Sequence, residues 1–519
     1  MRFETRESVR NNNSINITWF KRDLRLNDHA PLSAAIRSGT PILPLYIVEP
    51  DYWAQKFSSV RHWQFVLDCV EELRIECDKL GQPLVIRKGV ATAVFQELLK
   101  QFKIDGIFVH QETGNDWSRR RDQDVRDWCA YNSIRLHEFP TNGVVRDLDS
   151  RDKWSKVRDS RMIEPIIPAP SRLRGVSDIH IGEIPSRTYP CFGYRSEESN
   201  QRGGSAAGKV AVTAFLRHNS KKYLRHISEP HLSKKYCSRI SPHLTWGSLS
   251  VKEVIKSLQS RFGELDNSVD NSWKRNLRAF ESRLAWRCHF IQKLEDQPSI
   301  ETACMHSAFE QLRSADSGGQ FYNAWSIGMT GYPIVDACMR SLNHGGWITF
   351  RMRAMLVSFA SYNLWIDWRR SGYHLAKLFT DYEPGIHYSQ LQMQSGVTSI
   401  NAIRIYNPLK QSFANDPGGH FIRSWVPELK AVPEPWVHQP WKMSGPLQSN
   451  FGCILGKDYP KPIVDHEITA KLARQRIKAA SQGKDFRAES RQVFDKLGSR
   501  QRSGRHRPQE VSRQLTLSL

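Results

Sequence analysis

Five short apolar runs, separated by segments of helical length, constrain the fold of the first 140 residues more than any other feature. The runs are rich in β-branched residues: INITWF (15–20), ILPLYIV (42–48), PLVIR (83–87), GIFVH (106–110) and SIRLHEF (133–139). The segments between them, such as 61–80 and 118–132, have helical amphipathic patterns. Strands that alternate with helices indicate parallel βαβ units. We therefore predict a doubly wound α/β domain over 15–140, with any ligand at the carboxyl ends of its strands.

The pattern changes after residue 140. Residues 141–207 are rich in Pro, Gly and Ser, which predicts an interdomain linker. From 208 the apolar residues repeat with a helical period, which predicts a large all-α domain over 208–445. Its clearest helices are expected at 208–227, 250–262, 273–295, 334–344 and 350–370. Residues 446–519 are predicted to be a basic, partly disordered tail.

The charge of the chain favours a polyanionic partner. The 75 Lys and Arg exceed the 53 Asp and Glu by 22, an excess typical of nucleic-acid-binding proteins. A basic surface with no specific partner is the alternative. No apolar run reaches membrane-spanning length and no signal peptide is evident, so we expect a soluble, cytoplasmic monomer.

The nine cysteines are dispersed and form no C-x-x-C pair, which predicts neither a disulfide framework nor a metal site. Their spacing alone leaves an iron–sulfur cluster open, because distant ligands can converge in space.

Three segments of the helical part carry residues suited to ligand binding. In CSRISPHLTWGSLS (237–250), Ser hydroxyls and free backbone N–H groups suit a phosphate, although helix capping explains them as well. In FESRLAWRCHF (280–290), Arg and aromatic side chains share a helix face. They suit a planar anion or an unstacked base, or form a surface arginine stripe over a packed aromatic. Between 325 and 393, two arginines and two acids form either an ion-pair network or part of a cofactor enclosure.

These segments resemble the DNA photolyase/cryptochrome family. The resemblance runs from about residue 15 to 442 in the family's order. The matching motifs are WFKRDLRLNDHAPL (19–32), SRISPHL, the Trp-Arg pair 286–287, TGYPIVDACMRSL (330–342), the segment 346–353, IDWR (366–369), RIYNP (404–408) and FIRSWVPEL (421–429). The family layout is an antenna-binding α/β domain joined by a long linker to a helical FAD domain, which agrees with the pattern above.

The resemblance implies light-driven repair of cyclobutane pyrimidine dimers in UV-damaged DNA. Reduced FAD would pass an electron to a flipped-out dimer, and a folate or deazaflavin would serve as a second, antenna chromophore, with Glu112 as a candidate contact. Repair of (6-4) photoproducts is expected to need histidines over the lesion, and 347–361 contain none. The alternative is a cryptochrome, a blue-light photoreceptor without repair activity.

The resemblance also assigns roles to individual residues. The implied FAD contacts are Tyr223, Ser238, Ile240, Ser241, Phe280, Arg287, Phe350, Arg353, Asp381, Glu383 and His387. Ser238 and Ser241 would hold the pyrophosphate, and Arg353 would pair with Asp381 beside the isoalloxazine. Trp286, Arg351 and His387 are the implied catalytic residues, with Trp286 stacking on the lesion and Arg351 contacting its phosphate. Arg283 and Met393 are further implied DNA contacts.

Several positions depart from the family pattern. Cys237 replaces a Thr, Phe280 a Trp, Arg283 an acid or amide, Phe350 an Asn, His387 an Asn that faces flavin N5, and Met393 a Trp. In the electron relay, Trp368 matches the middle tryptophan, but Leu391 and Ala315 fill the inner and outer positions. Trp365, expected three residues before Trp368 on one helix, would offer another route. The FRMRAML segment (350–356) resembles a divergent bacterial branch that favours dimers in single-stranded DNA.

Overall fold

The first part of the chain is a parallel sheet covered by helices. The computed structural model describes residues 14–187, 201–265, 271–314 and 319–499. The strands are β1 (Ser14–Phe20), β2 (Ile42–Val48), β3 (Val85–Lys88), β4 (Lys103–His110) and β5 (Arg135–Phe139). The helices are α1 (Ala30–Arg37), α2 (Pro50–Trp53), α3 (Val60–Lys79), α4 (Ala91–Gln101) and α5 (Asp116–Tyr131).

The sheet order is β3-β2-β1-β4-β5, and each neighbouring pair is parallel. Every residue of β2 is buried, as expected for a strand with helices on both faces of its sheet. The order reverses at β1, so the crevice of a doubly wound sheet lies at the carboxyl ends of β1 and β4. The predicted α/β fold is confirmed.

The predicted linker is partly structured. It contains α6 (Trp154–Ile163), and α7 already begins at Ser205. Part of it runs along the sheet, where the amide of Ile42 donates to the carbonyl of Arg174 and that of Ile86 to the carbonyl of Ile181.

The second part of the described chain is helical, as predicted. Its helices are α7 (Ser205–Arg217), α8 (Tyr223–His226), α9 (Ser233–Tyr236), α10 (Ser241–Trp246), α11 (Val251–Glu264), α12 (Asn271–Asp296), α13 (Gly319–Ile327), α14 (Pro333–Gly345), α15 (Phe350–Ser358), α16 (Trp368–Leu378), α17 (Pro384–Ser395), α18 (Pro408–Asn415), α19 (His420–Trp425), α20 (Gly445–Asn450), α21 (His466–Ala480) and α22 (Phe486–Leu497). Among the described residues, no helix is both long and apolar enough to cross a bilayer.

The prediction of a basic, partly disordered tail from 446 is wrong for residues 446–499. They contain α21, α22 and most of α20. Ile477, Val493 and Leu497 are buried in the main apolar cluster of the helical domain. The abundant Arg and Lys lie on the outer faces of these helices and mask an apolar stripe at helical spacing. Residues 500–519 of the predicted tail lie outside the described residues.

The single helix predicted over 350–370 is also wrong. Helix α15 ends at Ser358 and is followed by a π-helical turn, Phe359–Asn363. Trp365 then adopts a left-handed backbone conformation with φ of 54°. The side chain of Asp367 accepts a hydrogen bond from the amide of Arg369 and caps α16, which begins at Trp368. Trp365 and Trp368 therefore do not share a helix.

Arg61 joins the two domains. It lies on α3, and its guanidinium donates to the carbonyls of Leu342 (3.2 Å) and Leu378 (2.9 Å), and to those of Asn343 (2.8 Å) and His344 (3.1 Å). These carbonyls belong to the last turns of α14 and α16, where the regular helical donors run out; that of Leu342 also accepts from the amide of Gly346. One buried side chain thus caps two helices of the other domain.

We predict that Arg61→Ala lowers the free energy of unfolding by at least ~2 kcal/mol, because several buried carbonyls lose their donor. Thermal unfolding monitored by circular dichroism measures the change. Ile75→Ala, on the exposed side of the same helix, is the matched control and should change stability by less than ~0.5 kcal/mol. Equal midpoints for the wild type and Arg61→Ala would show that the capping bonds contribute nothing.

Candidate active site

A cavity of about 70 Å³ opens in the helical domain between α15, α16, α17 and the segment before α17. Five of the predicted cofactor contacts line it: Phe350, Arg353, Asp381, Glu383 and His387. Tyr223, Ile240 and Phe280 lie instead in a neighbouring apolar cluster, where the rings of Phe280 and Phe215 are 4.6 Å apart. The structure therefore brings together predicted residues from two stretches of the chain, α15 and residues 381–387.

Arg353 and Asp381 form a two-point ion pair at the cavity. The Nη1 and Nη2 atoms of Arg353 lie 3.0 and 3.1 Å from the two carboxylate oxygens of Asp381. The guanidinium also lies over the Phe379 ring at 4.1 Å. Burial alone would raise the pKa of Asp381, but Arg353 and a hydrogen bond from Ser241 hold that pKa below its ordinary value. Asp381 is thus a carboxylate at neutral pH.

Glu383 is held by one arginine from each domain. Its Oε2 atom accepts from Nη2 of Arg287 at 2.7 Å and from Nη2 of Arg22 at 3.2 Å. Arg287 also donates to the carbonyl of Leu244 at 2.9 Å. The Oε1 atom of Glu383 and the Nε atom of Arg287 are buried without a hydrogen-bond partner. Such atoms are costly unless a ligand or water supplies the partner.

Arg239, which sequence reasoning did not single out, is a third residue of this kind. It lies between Ser238 and Ser241, which are both half-buried near the start of α10. Its backbone is left-handed, with φ of 57°, and its guanidinium stacks on Trp347 at 4.3 Å. Burial lowers the pKa of Arg239 to about 10, and its Nη1 atom has no partner. The signal was present in the sequence as a cation flanked by two serines.

The unsatisfied atoms of Arg239, Arg287 and Glu383 fit a ligand that carries both phosphate and hydrogen-bonding groups, as FAD does. Two of the three side chains are cations, which suits a pyrophosphate. Unsatisfied buried atoms are uncommon in folded proteins, and these three belong to segments that the sequence assigned to one cofactor. The residues present therefore fit FAD.

His387 is neutral in this environment. Its Nε2 atom lies 3.0 Å from the carbonyl oxygen of Gly372. A carbonyl oxygen can only accept a hydrogen bond, so Nε2 carries the proton. Burial lowers the pKa of His387 to about 3. With the proton on Nε2, the other ring nitrogen, Nδ1, is a hydrogen-bond acceptor.

The predicted DNA contacts lie nearer the surface. Trp286 on α12 is 37% exposed, the most exposed tryptophan of the described chain, and its ring lies 5.6 Å from that of Phe290. Phe350 is 38% exposed at the cavity. Arg351 donates from Nε to the Ser228 hydroxyl at 3.0 Å.

The other two predicted DNA contacts, Arg283 and Met393, are half-buried. The side chain of Arg283 is hydrogen-bonded to Tyr223.

Helix α12, which carries Trp286, packs closely on α17, which carries His387. A Cβ atom added to Gly385 would lie 2.5 Å from the Cα of Ile291 and 3.2 Å from the carbonyl of Phe290. Only glycine therefore allows this separation. This contact joins the helix of the exposed tryptophan to the helix that lines the cavity.

The two predicted relay residues lie in different environments. Trp368 is buried, and its Nε1 atom donates to the sulfur of Cys304 at 3.4 Å. Trp365 lies between the guanidinium groups of Arg313 and Arg476, at 4.5 and 4.7 Å from its ring. Two nearby positive charges disfavour removal of an electron from that ring. Ala315 lies outside the described residues.

Sequence reasoning missed another run of rings. Tyr382 lines the cavity and stacks on Phe57 with centroids 5.5 Å apart. Phe57 contacts Tyr52 at 5.5 Å, and Tyr52 contacts the half-buried Trp117 at 5.1 Å. These residues come from both domains, so no single helix pattern reveals them.

The carboxyl ends of the strands hold a buried ion network. Lys21 Nζ lies 2.9 Å from Asp122, and Arg121 lies 2.6 Å from Glu49 and 2.5 Å from Glu112. Glu112, the predicted antenna contact, is therefore engaged by a cation of its own domain. These five side chains pair with one another.

The described cysteines do not converge on a cluster site. All eight lack a disulfide partner, and Cys191 lies outside the described residues. In the described ranges, one group has metal-ligand proximity, Asp23 with His29 and His110. Both imidazoles contact Oδ2 of Asp23, at 2.9 and 2.7 Å, and Nδ1 of His29 accepts from the amide of Leu32. Hydrogen bonding accounts for this group.

The chain matches two family models. Residues 16–159 match the DNA photolyase model, and residues 280–479 match the FAD binding domain of DNA photolyase. A deoxyribodipyrimidine photo-lyase from Streptomyces griseus is 29% identical over 479 residues, which cover 89% of this chain and 99% of the relative.

Solved structures are also similar. A cryptochrome from Synechocystis sp. PCC6803 matches with a TM-score of 0.80 and 25% identity, over 89% of this chain and 99% of that one. A photolyase from Sulfolobus tokodaii, solved with two FAD molecules, matches with a TM-score of 0.73 and 25% identity, over 90% of this chain and all of that one.

We predict that His387→Asn makes stability less sensitive to acid. The unfolded chain protonates this histidine below pH 6.5, whereas the folded protein does so only near pH 3, so stability falls as the pH drops between these values. Removing the imidazole should reduce that slope by up to ~1.4 kcal/mol per pH unit. Urea unfolding at several pH values from 4 to 7 measures it. Equal slopes in both proteins would mean that His387 is protonated in the native state.

Proposed function

Since the chain belongs to the DNA photolyase/cryptochrome family, we propose that it uses light to split cyclobutane pyrimidine dimers in UV-damaged DNA, with a preference for single strands. The observation that carries this proposal is the exposed ring of Trp286, on a helix packed directly against the cavity wall. An aromatic face of this kind binds an unstacked base. A dimer is cheaper to extrude than a normal pair, because it stacks and pairs poorly.

The charges around the opening support a DNA substrate. Arg351 follows Phe350 on α15, Arg283 precedes Trp286 by three residues on α12, and the chain carries an excess of 22 positive charges. Arginine binds phosphate through two parallel hydrogen bonds. We assign Arg351 to the phosphate beside the lesion and Trp286 to the lesion itself.

The cavity supports the cofactor role. When bound, reduced FAD would supply the light-absorbing electron donor. We assign Arg239, Ser238 and Ser241 to the phosphates, and Arg287 and Glu383 to the polar groups of the cofactor. The Arg353–Asp381 pair fixes a cation at the cavity wall, and neutral His387 offers an acceptor nitrogen there. A second, antenna chromophore remains a prediction, supported by the second FAD named for the Sulfolobus tokodaii photolyase.

The alternative function is a blue-light photoreceptor without repair activity. Phe350, Arg283 and Met393, which depart from the family pattern, favour it, as does the similarity to a cryptochrome structure. A light-versus-dark assay on dimer-containing oligonucleotides, single- and double-stranded, separates the two. Loss of dimers only in light supports repair, whereas unchanged dimers in both substrates support the photoreceptor.

We predict that Trp286→Ala weakens binding to a dimer-containing oligonucleotide by about ten- to hundredfold, because one stacked base loses its platform. Bound flavin should remain at the wild-type level, because Trp286 does not line the cavity. Fluorescence anisotropy gives the affinity and the absorption spectrum gives the flavin content. Loss of the flavin would identify Trp286 as a structural residue instead.

We predict that photoreduction of oxidised flavin, with a thiol as the final electron source, does not depend on Trp368. Trp117→Phe should slow it more than Trp368→Phe, because the rings from Tyr382 to Trp117 connect the cavity with the surface. Absorption changes under blue light measure both rates. If Trp368→Phe alone abolished photoreduction, the electron would pass through Trp368, as the family pattern implies.

A further inference from the structure

A second cavity, of about 340 Å³, lies between the segment after α17 and helix α22. Ser399 and Ile400 line one side, and Ser490, Arg491, Phe494 and Asp495 line the other. None of these residues belongs to the active site described above. Its volume falls within the range of small-ligand sites.

The lining combines three kinds of chemistry. The hydroxyl oxygens of Ser399 and Ser490 have no hydrogen-bond partner, although both are buried. The Phe494 ring is 48% exposed, and Arg491 supplies a cation one helical turn from the carboxylate of Asp495. An aromatic face, hydroxyl groups and a cation are what an unpaired nucleobase and its phosphate require.

The position of the cavity connects it with the predicted lesion contacts. Beyond α22, the hydroxyl of Ser499 lies 3.1 Å from Nε2 of His289 on α12, whose ring is 6.3 Å from that of Trp286. On the other side, Ser399 follows the end of α17, which carries Met393. Helices α12 and α17, which bear predicted lesion contacts, are therefore each connected with one side of this cavity.

We propose that this cavity binds an unpaired nucleobase of the DNA strand that continues from the lesion. The base stacks on Phe494, its edge bonds to the two serine hydroxyls, and its phosphate meets Arg491. A single strand presents such a base freely, whereas a duplex must first unpair and unstack it. The cavity thus gives a physical basis for a single-strand preference, and this inference rests on the proposed function.

The test uses the flavin-loaded full chain in the dark and single-stranded oligonucleotides with 2-aminopurine at successive positions on either side of a dimer. We expect fluorescence quenching at one flanking position, where the probe stacks on Phe494. Phe494→Ala should abolish the quenching and weaken binding about tenfold. Phe413→Ala is the matched control, since Phe413 is 41% exposed and lies outside the cavity.

Two further variants cover the case in which Phe494→Ala fails to fold. Ser399→Gly removes one hydroxyl at a left-handed position that glycine adopts readily, and Arg491→Gln removes the cation. Each should reduce the quenching at the same position, whereas quenching at no position, or equal quenching in all variants, overturns the proposal. The same oligonucleotides without a dimer separate the two hypotheses. Position-specific quenching without lesion discrimination would support the cavity and contradict the repair function.

Discussion

The buried carboxylate of Glu383 is the interaction on which the arrangement of the site depends. It immediately precedes α17 and is held by Arg22 from the α/β domain and Arg287 from the helical domain. A buried charge is tolerated only when it is paired, so the two domains must meet correctly for the carboxylate to be stable. The same pairs fix the start of α17 and with it the cavity wall. Arg61 reinforces this junction by capping two helices across it.

Much of the fold could be predicted because its signals are local. The strands of the α/β domain end within three residues of their predicted bounds, since buried parallel strands are continuous apolar runs. The break after Ser358 could not be predicted from periodicity, because the apolar pattern continues through the π-helical turn and only Asp367 marks a new helix. The order in residues 446–499 was hidden by their charge, since a few buried positions such as Ile477 and Leu497 suffice to dock a helix.

The site divides in the same way. Arg353, Asp381, Glu383 and His387 were predicted through motifs, and the structure brings them to one cavity. Arg239 could be recognised only from a buried Nη1 atom that lacks a partner, and the ring contact between Phe57 and Tyr382 only from the domain junction. Both depend on contacts between residues far apart in sequence. The resemblance identified which residue types belong to a site, whereas three-dimensional packing decided which atoms lack a partner.

The close approach of α12 and α17 at Gly385 has a consequence for spectroscopy. Because the backbones of the two helices meet there with no side chain between them, a displacement of α12 at this point requires a displacement of α17, the helix that carries His387. Hydrogen bonds around a flavin shift its absorption bands. Under the proposed function, a ligand that contacts Trp286 should therefore produce a small shift in the visible absorption of the bound flavin.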